Sequence, residues 1–137
     1  MVLYNAGNET NTEGSGCNMK VIVTGSRSIT NYNKIVNIIK RSGFEVTTLI
    51  CGMARGVDTQ AHIWATKNNI PISEFPADWD RHGKRADYLR NQAMVDEADV
   101  LIAIWGSESK GTKMVIELMQ KKGGKVFISN INKYDTI

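Results

Sequence analysis

The chain has 137 residues, a formal net charge of +3 and 42% hydrophobic residues, which fits one folded domain with its own core. Its longest apolar run, VLIAIW at 100–105, is far too short to cross a bilayer, and the N-terminus has no basic segment followed by an apolar one. These features argue against a membrane or secreted protein. The two cysteines, Cys17 and Cys51, are interpreted as reduced thiols of a cytoplasmic protein.

The first 18 residues are rich in Asn, Gly, Ser and Thr and show no sustained apolar periodicity. We interpret 1–18 as a flexible extension and 19–137 as the folded domain. Met19, directly before KVIVTGSRS, is a natural point for the domain, or for an alternative chain, to begin.

Apolar runs and amphipathic stretches alternate along the rest of the chain. Strands are predicted at 20–25, 45–50, 70–75, 99–105 and 125–129, and helices at 31–43, 58–69, 85–98 and 112–123. Residues 76–84 and 106–111 are predicted as loops and 130–137 as a tail. Strands regularly separated by helices predict a parallel sheet with helices on both faces, an α/β, Rossmann-like, doubly wound five-stranded fold in a single domain.

Local signals add detail to the helices. Asp58 is predicted as the N-cap of the second helix. The inward-facing residues of the last helix are predicted to be Val115, Leu118 and Met119.

Four loops follow predicted strands and combine glycines, hydroxyls and basic side chains. They read TGSRS, CGMARGVD, PADWDRHGKR and WGSESKGT. In an open parallel sheet, ligands bind beyond the carboxyl ends of the strands, so these loops are expected to form one site. Glycines let the backbone approach a ligand, and helix N-termini attract anions, which favours a phosphate-bearing ligand. The ligand-binding candidates are Gly25, Ser26, Arg27, Gly52, Arg55, Gly56, Asp58, Asp78, Trp79, His82, Gly106, Ser107, Ser109, Lys110, Gly111 and Thr112.

Turn chemistry alone can explain Gly, Ser and Asp in any one such loop. No standard dinucleotide or triphosphate motif is present. A micromolar ligand needs roughly 8 kcal/mol, whereas one charge-assisted hydrogen bond supplies about 1.5–3 kcal/mol. Several converging loops are therefore required, and the sequence offers four.

Metal-ligand spacing is absent from the sequence, because His62 and His82 lie apart from both cysteines. No metal and no cofactor are predicted. The segment 81–90 carries a local charge of +3, which keeps nucleic acid open as a partner.

Together, VIVTGSRS, CGMARGVD, PADWDRHGKRADYLRNQAMV and WGSESKGT resemble the YspA-like, cpYpsA-related branch of the SLOG superfamily, over about 20–128. The superfamily includes the Lonely Guy phosphoribohydrolases and the DNA-processing protein DprA. The resemblance implies a Rossmann-like nucleotide-binding domain that often forms homodimers or higher oligomers. The fourth loop looks like the variant found in phage-encoded relatives. For a phage-encoded protein, this resemblance implies a location in the cytoplasm of the host cell.

The resemblance also implies roles for single residues. Arg90 in RNQAM is similar to the arginine of the RKxxM motif in the phosphoribohydrolases, which makes Arg90 a further ligand-binding candidate. Gly111 and Thr112 would hold a phosphate. The phosphoribohydrolase loop reads PGGxGTxxE, but here Val115 stands where its catalytic glutamate would be. Glu117 lies about 200° further around the helix, at about 100° per residue, and cannot simply replace it.

The loops and the resemblance leave three alternative functions open. The first is binding of a nucleotide or an ADP-ribose-like ligand, by a sensor or sequestering protein. The second is hydrolysis of an N-glycosidic or phosphate bond, with Arg90 and a carboxylate from Asp58, Asp78 or Glu117 as catalytic candidates. The third is single-stranded nucleic-acid binding, through 81–90 and stacking on Trp79.

Overall fold

The computed structural model describes residues 19–106 and 109–130. The predicted flexible extension at 1–18, the binding candidate Ser107 and all but the first residue of the predicted tail therefore lie outside the described residues.

Five strands alternate with helices along the described chain. The strands are β1 (Lys20–Gly25), β2 (Thr48–Cys51), β3 (Ile72–Glu74), β4 (Val100–Trp105) and β5 (Lys125–Asn130). The helices are α1 (Tyr32–Arg41), α2 (Val57–Lys67), α3 (Trp79–His82), α4 (Ala86–Glu97) and α5 (Lys110–Lys122), and a 3₁₀ turn (Gly83–Arg85) joins α3 to α4. None of the helices in these described parts is long and apolar enough to cross a membrane.

The strands form one sheet in the order β3-β2-β1-β4-β5, and every neighbouring pair is parallel. In the central strand, Ile22 lies opposite Ile50 on one side and Leu101 on the other. The predicted Rossmann-like α/β fold is confirmed. Strand order reverses between β1 and β4, which is where an open α/β sheet leaves a crevice.

Helices cover both faces of the sheet, so the central strands β1 and β4 bury both of their faces and contain continuous apolar runs. Val21 and Val23 of β1 pack in one core with residues of α1 and α2. Ile22, between them in sequence, packs in a second core with residues of α4 and α5. The sheet therefore separates the two helix layers and their cores.

The predicted loop at 76–84 is wrong in part, because it contains α3 and part of the 3₁₀ turn. The Asp78 side chain accepts a hydrogen bond from the Arg81 N–H at 3.2 Å, which caps this short helix. Gly83, with φ +56°, ends it. The capping that produces α3 spans a few residues, which is too short to show apolar periodicity.

Other predicted details of the helices also differ from the structure. Helix α5 begins two residues earlier than predicted, because the Ser109 hydroxyl accepts the N–H of Thr112 and caps it. The predicted N-cap at Asp58 is wrong: α2 begins at Val57 and its N-cap is Gly56. Within α5, Ile116 is buried and Leu118 is only half-buried.

Candidate ligand-binding site

A cavity of about 440 Å³ opens at the carboxyl end of β1, next to the point where strand order reverses. We call it the main cavity. Its walls come from the loop after β1, the loop before α2, one face of α4 and the start of α5. It is lined by Thr24, Gly25, Ser26, Arg27, Ser28, Ala54, Asp58, Asp87, Arg90, Asn91, Met94, Ser109, Lys110, Gly111, Thr112 and Val115.

The start of α5 presents backbone donors to this cavity. Ser109 caps the helix by accepting the N–H of Thr112, and its hydroxyl lies 2.7 Å from the Thr112 hydroxyl. The backbone N–H groups of Lys110 and Gly111 have no hydrogen-bond acceptor among the described residues. A helix N-terminus with unpaired N–H groups favours an anion.

Arg90 of α4 is largely buried, and its side chain is hydrogen-bonded within α4 and to the backbone that follows β2 and β3. Its Nε donates to Asn91 Oδ1 at 2.8 Å, and one Nη donates to Asp87 Oδ1 at 3.0 Å. The other Nη donates to the backbone carbonyls of Gly52 and Phe75, which follow β2 and β3. The guanidinium is therefore held in one orientation at the cavity wall.

Asn91 is 4% exposed and lines the main cavity. Its Oδ1 accepts from Arg90, while its Nδ2 meets only Met114 Sδ, at 3.3 Å. A thioether sulfur is a weak acceptor, and the second Nδ2 hydrogen has no acceptor among the described residues. Because buried polar groups are normally hydrogen-bonded, this amide hydrogen is available for an acceptor that a ligand supplies.

Asp58 is buried at the opposite wall. Its Oδ1 accepts from the Thr24 hydroxyl at 2.6 Å and its Oδ2 from the Ala54 N–H at 3.2 Å. Burial raises the pKa of Asp58 above its ordinary value, while these two hydrogen bonds and the nearby charges of Arg90 and Arg27 act in the opposite direction. Both carboxylate oxygens are engaged, so the side chain fixes the loop before α2.

Cys51 lies behind the same loop and is fully buried. Burial raises the pKa of the Cys51 thiol to about 12, so the thiol stays protonated at neutral pH. A protonated, buried thiol is not a nucleophile.

A second cavity of about 290 Å³ adjoins the main cavity and shares Arg27, Ala54, Asp87 and Arg90 with it. Its remaining lining residues are Gly52, Met53, Arg55, Pro76, Ala77 and Trp79. The two spaces together follow the carboxyl edge of the sheet from β4 to β3.

The structure brings most of the predicted binding residues to these two cavities. Those in the main cavity are Gly25, Ser26, Arg27, Asp58, Arg90, Ser109, Lys110, Gly111 and Thr112. Those lining only the second are Gly52, Arg55 and Trp79.

Five candidates line neither cavity. Gly56 and Gly106 are buried beneath the loops, where the Gly106 N–H donates to Ser26 Oγ at 2.7 Å. Asp78, His82 and Glu117 are exposed. Asp78 caps α3, and Glu117 is absent from the cavity lining to which Thr112 and Val115 contribute.

Sequence reasoning missed Thr24, Asp87 and Asn91. A signal for Asn91 exists in the sequence, since it precedes Met94 and Val95 by three and four residues and so shares their buried helix face. A polar residue on such a face needs partners, and Arg90 of α4 supplies one only for Asn91 Oδ1. Within the described ranges, no group of three or more His, Cys, Asp and Glu side chains could hold a metal ion.

The fold defines a Rossmann-like α/β domain, and the main cavity lies at its topological switch point. A solved structure of the same fold is DNA processing protein A (DprA) from Streptococcus pneumoniae, with a TM-score of 0.63 and 20% sequence identity over 81% of this chain. The chain spans 50% of that DprA chain. At this identity, the likeness establishes the fold alone.

The family is established by sequence. The model of the YspA, cpYpsA-related SLOG family matches residues 19–82, from the start of β1 to the end of α3. The Gene 61 protein of Mycobacterium phage D29 is 34% identical over 114 residues, which cover 76% of this chain and 90% of the phage protein. The chain belongs to the YspA, cpYpsA-related SLOG family, and it has a phage relative.

Proposed function

We propose that this protein binds a nucleotide or nucleotide-derived ligand of the ADP-ribose type in the main cavity and acts as a sensor or sequestering protein. The observation that carries the proposal is the convergence on one cavity of donors that have no acceptor among the described residues. These are the Asn91 amide and the backbone N–H groups of Lys110 and Gly111. Membership of the SLOG family supports a nucleotide-related ligand.

A phosphate group suits these donors because it offers several oxygen acceptors and no donor. A buried donor without an acceptor is costly, and a ligand oxygen that accepts from Asn91 would remove that cost. Arg27 and Lys110 are exposed at the cavity and add positive charge. The volume of about 440 Å³ lies within the range of roughly 300–1,000 Å³ that small-molecule sites occupy.

Hydrolysis remains the alternative, and the carboxylates give it less support. Val115 lines the main cavity where the phosphoribohydrolase motif has its glutamate. Asp58 has both oxygens engaged, and Glu117 is exposed outside the cavity. The present arrangement therefore supports holding a ligand better than cleaving one.

Single-stranded nucleic acid is the third candidate. Arg81 is exposed in α3 together with Trp79, and Lys84 and Arg85 are exposed in the 3₁₀ turn that follows, so charge and an aromatic ring do lie together. The homodimer or higher oligomer that the resemblance implies also stays a prediction.

Titration calorimetry of the full chain tests the proposal. The panel is AMP, ADP-ribose, NAD, cyclic dinucleotides and a single-stranded oligonucleotide, and mass spectrometry afterwards shows whether each ligand is intact. Arg27→Ala and Thr112→Ala should weaken binding about tenfold or more, because each removes a hydrogen-bonding group at the cavity. The matched controls, Arg41→Ala and Thr66→Ala, alter exposed residues on the α1–α2 layer and should bind like the wild type.

Unchanged affinity in both cavity variants would contradict the proposed site. Conversion of a ligand by the wild type would establish the hydrolase instead. Binding of the oligonucleotide with no binding of the small molecules would favour the nucleic-acid function, and its affinity should then fall steeply with salt.

A further inference from the structure

The second cavity differs in chemistry from the main cavity. Its outer wall combines the apolar side chains of Met53 and Trp79 with Pro76 and Ala77. Trp79 is 52% exposed and Met53 is 44% exposed. Large apolar side chains left in water are unfavourable, and a concave cluster of them is typical of a binding site.

The exposure of Met53 is imposed by its neighbours. Its φ is +65°, a left-handed conformation that residues other than glycine seldom adopt. The carbonyl before it, of Gly52, accepts from Arg90, and the N–H after it, of Ala54, donates to Asp58 Oδ2. The largely buried Arg90 and the buried Asp58 thus fix the backbone on each side of Met53 and hold its side chain at the second cavity.

The two cavities adjoin each other, since the same four residues line both. A ligand that extends past these shared residues would reach from the donors at the start of α5 to the apolar wall at Trp79. At the boundary between the cavities, Asp87 is paired with Arg90 at 3.0 Å, so its negative charge is partly neutralised there.

From this arrangement we infer that the second cavity is a stacking subsite for the planar heteroaromatic base of a nucleotide whose phosphate lies at the start of α5, with the base between Trp79 and Met53. Aromatic rings stack on tryptophan, and the polarizable methionine sulfur also packs well against them. This inference rests on the proposed function and adds the position of the base and the residues that hold it.

The test compares two probes that share a phosphorylated ribose and differ in the base, AMP and ribose 5-phosphate. Wild-type protein should bind AMP about tenfold or more tightly than ribose 5-phosphate, because stacking contributes only to AMP. Trp79→Ala should narrow this preference about tenfold, while Trp79→Phe, which keeps a ring, should retain most of it. Met53→Gly removes the side chain without adding backbone strain and should also narrow the preference.

Tyr88→Ala is the matched control, because Tyr88 is 43% exposed on α4 and lines neither cavity. The same AMP preference in wild type and Trp79→Ala, or equal affinity of the wild type for the two probes, would overturn the inference and leave the proposed function standing. If the wild type binds neither probe and no member of the nucleotide panel, the proposed function itself is overturned.

Discussion

Gly111 is the second residue of α5, and a β-carbon added there would meet nothing within 4 Å. Its φ is not in the left-handed region, so the fold does not require glycine at this position. The space beside it is the main cavity, at the unpaired N–H groups. A ligand that approaches this backbone closely is a physical reason for a glycine here.

We therefore expect Gly111→Ala to keep or raise the free energy of unfolding, by at most about 1 kcal/mol. Binding of a phosphate-bearing probe such as AMP should weaken about tenfold, because the added methyl group occupies space beside the donors. Urea unfolding and calorimetric titration measure the two effects. Wild-type affinity for AMP in this variant would show that no ligand group lies against Gly111.

Gly56 provides the contrast for that experiment. Its φ is +75°, and an added β-carbon would lie 2.5 Å from the carbonyl oxygens of Ser26 and Arg27. Gly56→Ala should therefore lower the free energy of unfolding by more than about 2 kcal/mol, through the strained φ and the clash.

The raised pKa of Asp58 leads us to expect that the free energy of unfolding depends on pH. Burial raises its pKa in the folded state above the unfolded value of 3.8. At a pH between the unfolded and the folded pKa, the folded state therefore binds more protons than the unfolded state. The stability that Asp58 contributes is therefore complete below the unfolded pKa and is lost as pH rises through the folded pKa. Asp58→Asn cannot ionise and removes this dependence.

The measurement is urea unfolding of wild type and Asp58→Asn from about pH 3 to about pH 8, since the difference cancels the other carboxylates. The free energy of unfolding of the wild type minus that of the variant should decrease as pH rises from about 4. A difference that grows with pH would show that the pKa of Asp58 is lowered on folding.

At the scale of the elements, helices with apolar periodicity and buried apolar strands could be predicted from the sequence. The Ile residues of α1 lie on one helical face, and the short run VLIAIW of β4, rich in β-branched residues, is typical of a buried strand. Helix α3 could not be predicted, because a side-chain cap and a 3₁₀ turn define it rather than a repeating pattern.

The candidate site was predictable as far as the strand-end rule extends. That rule placed Arg27 and Thr112 at one edge of the sheet, and the structure puts both in the main cavity. The bonds of Arg90 to the carbonyls after β2 and β3 were not predictable, because they depend on tertiary packing of α4. The same packing determines that Asn91 faces the cavity and that Glu117 does not.

For the whole molecule, the main cavity is lined by residues from both helix layers. Asp58 of α2 belongs to one layer, and Asn91 of α4 and Thr112 of α5 belong to the other. A ligand that contacts all three walls links both layers across the sheet edge. Its binding energy should therefore add to the free energy of global unfolding.

The most direct test of the account is thermal unfolding of wild type and Asn91→Asp with the nucleotide panel. Asn91→Asp keeps an acceptor for Arg90 Nε and replaces the unpaired amide donor with a negatively charged oxygen, while Asn37→Asp makes the same change at an exposed site of α1. At about 100 times its dissociation constant, one panel member should stabilise wild type and Asn37→Asp by about 2.7 kcal/mol and Asn91→Asp far less. No stabilisation of the wild type by any member, or equal stabilisation of Asn91→Asp, would contradict the account.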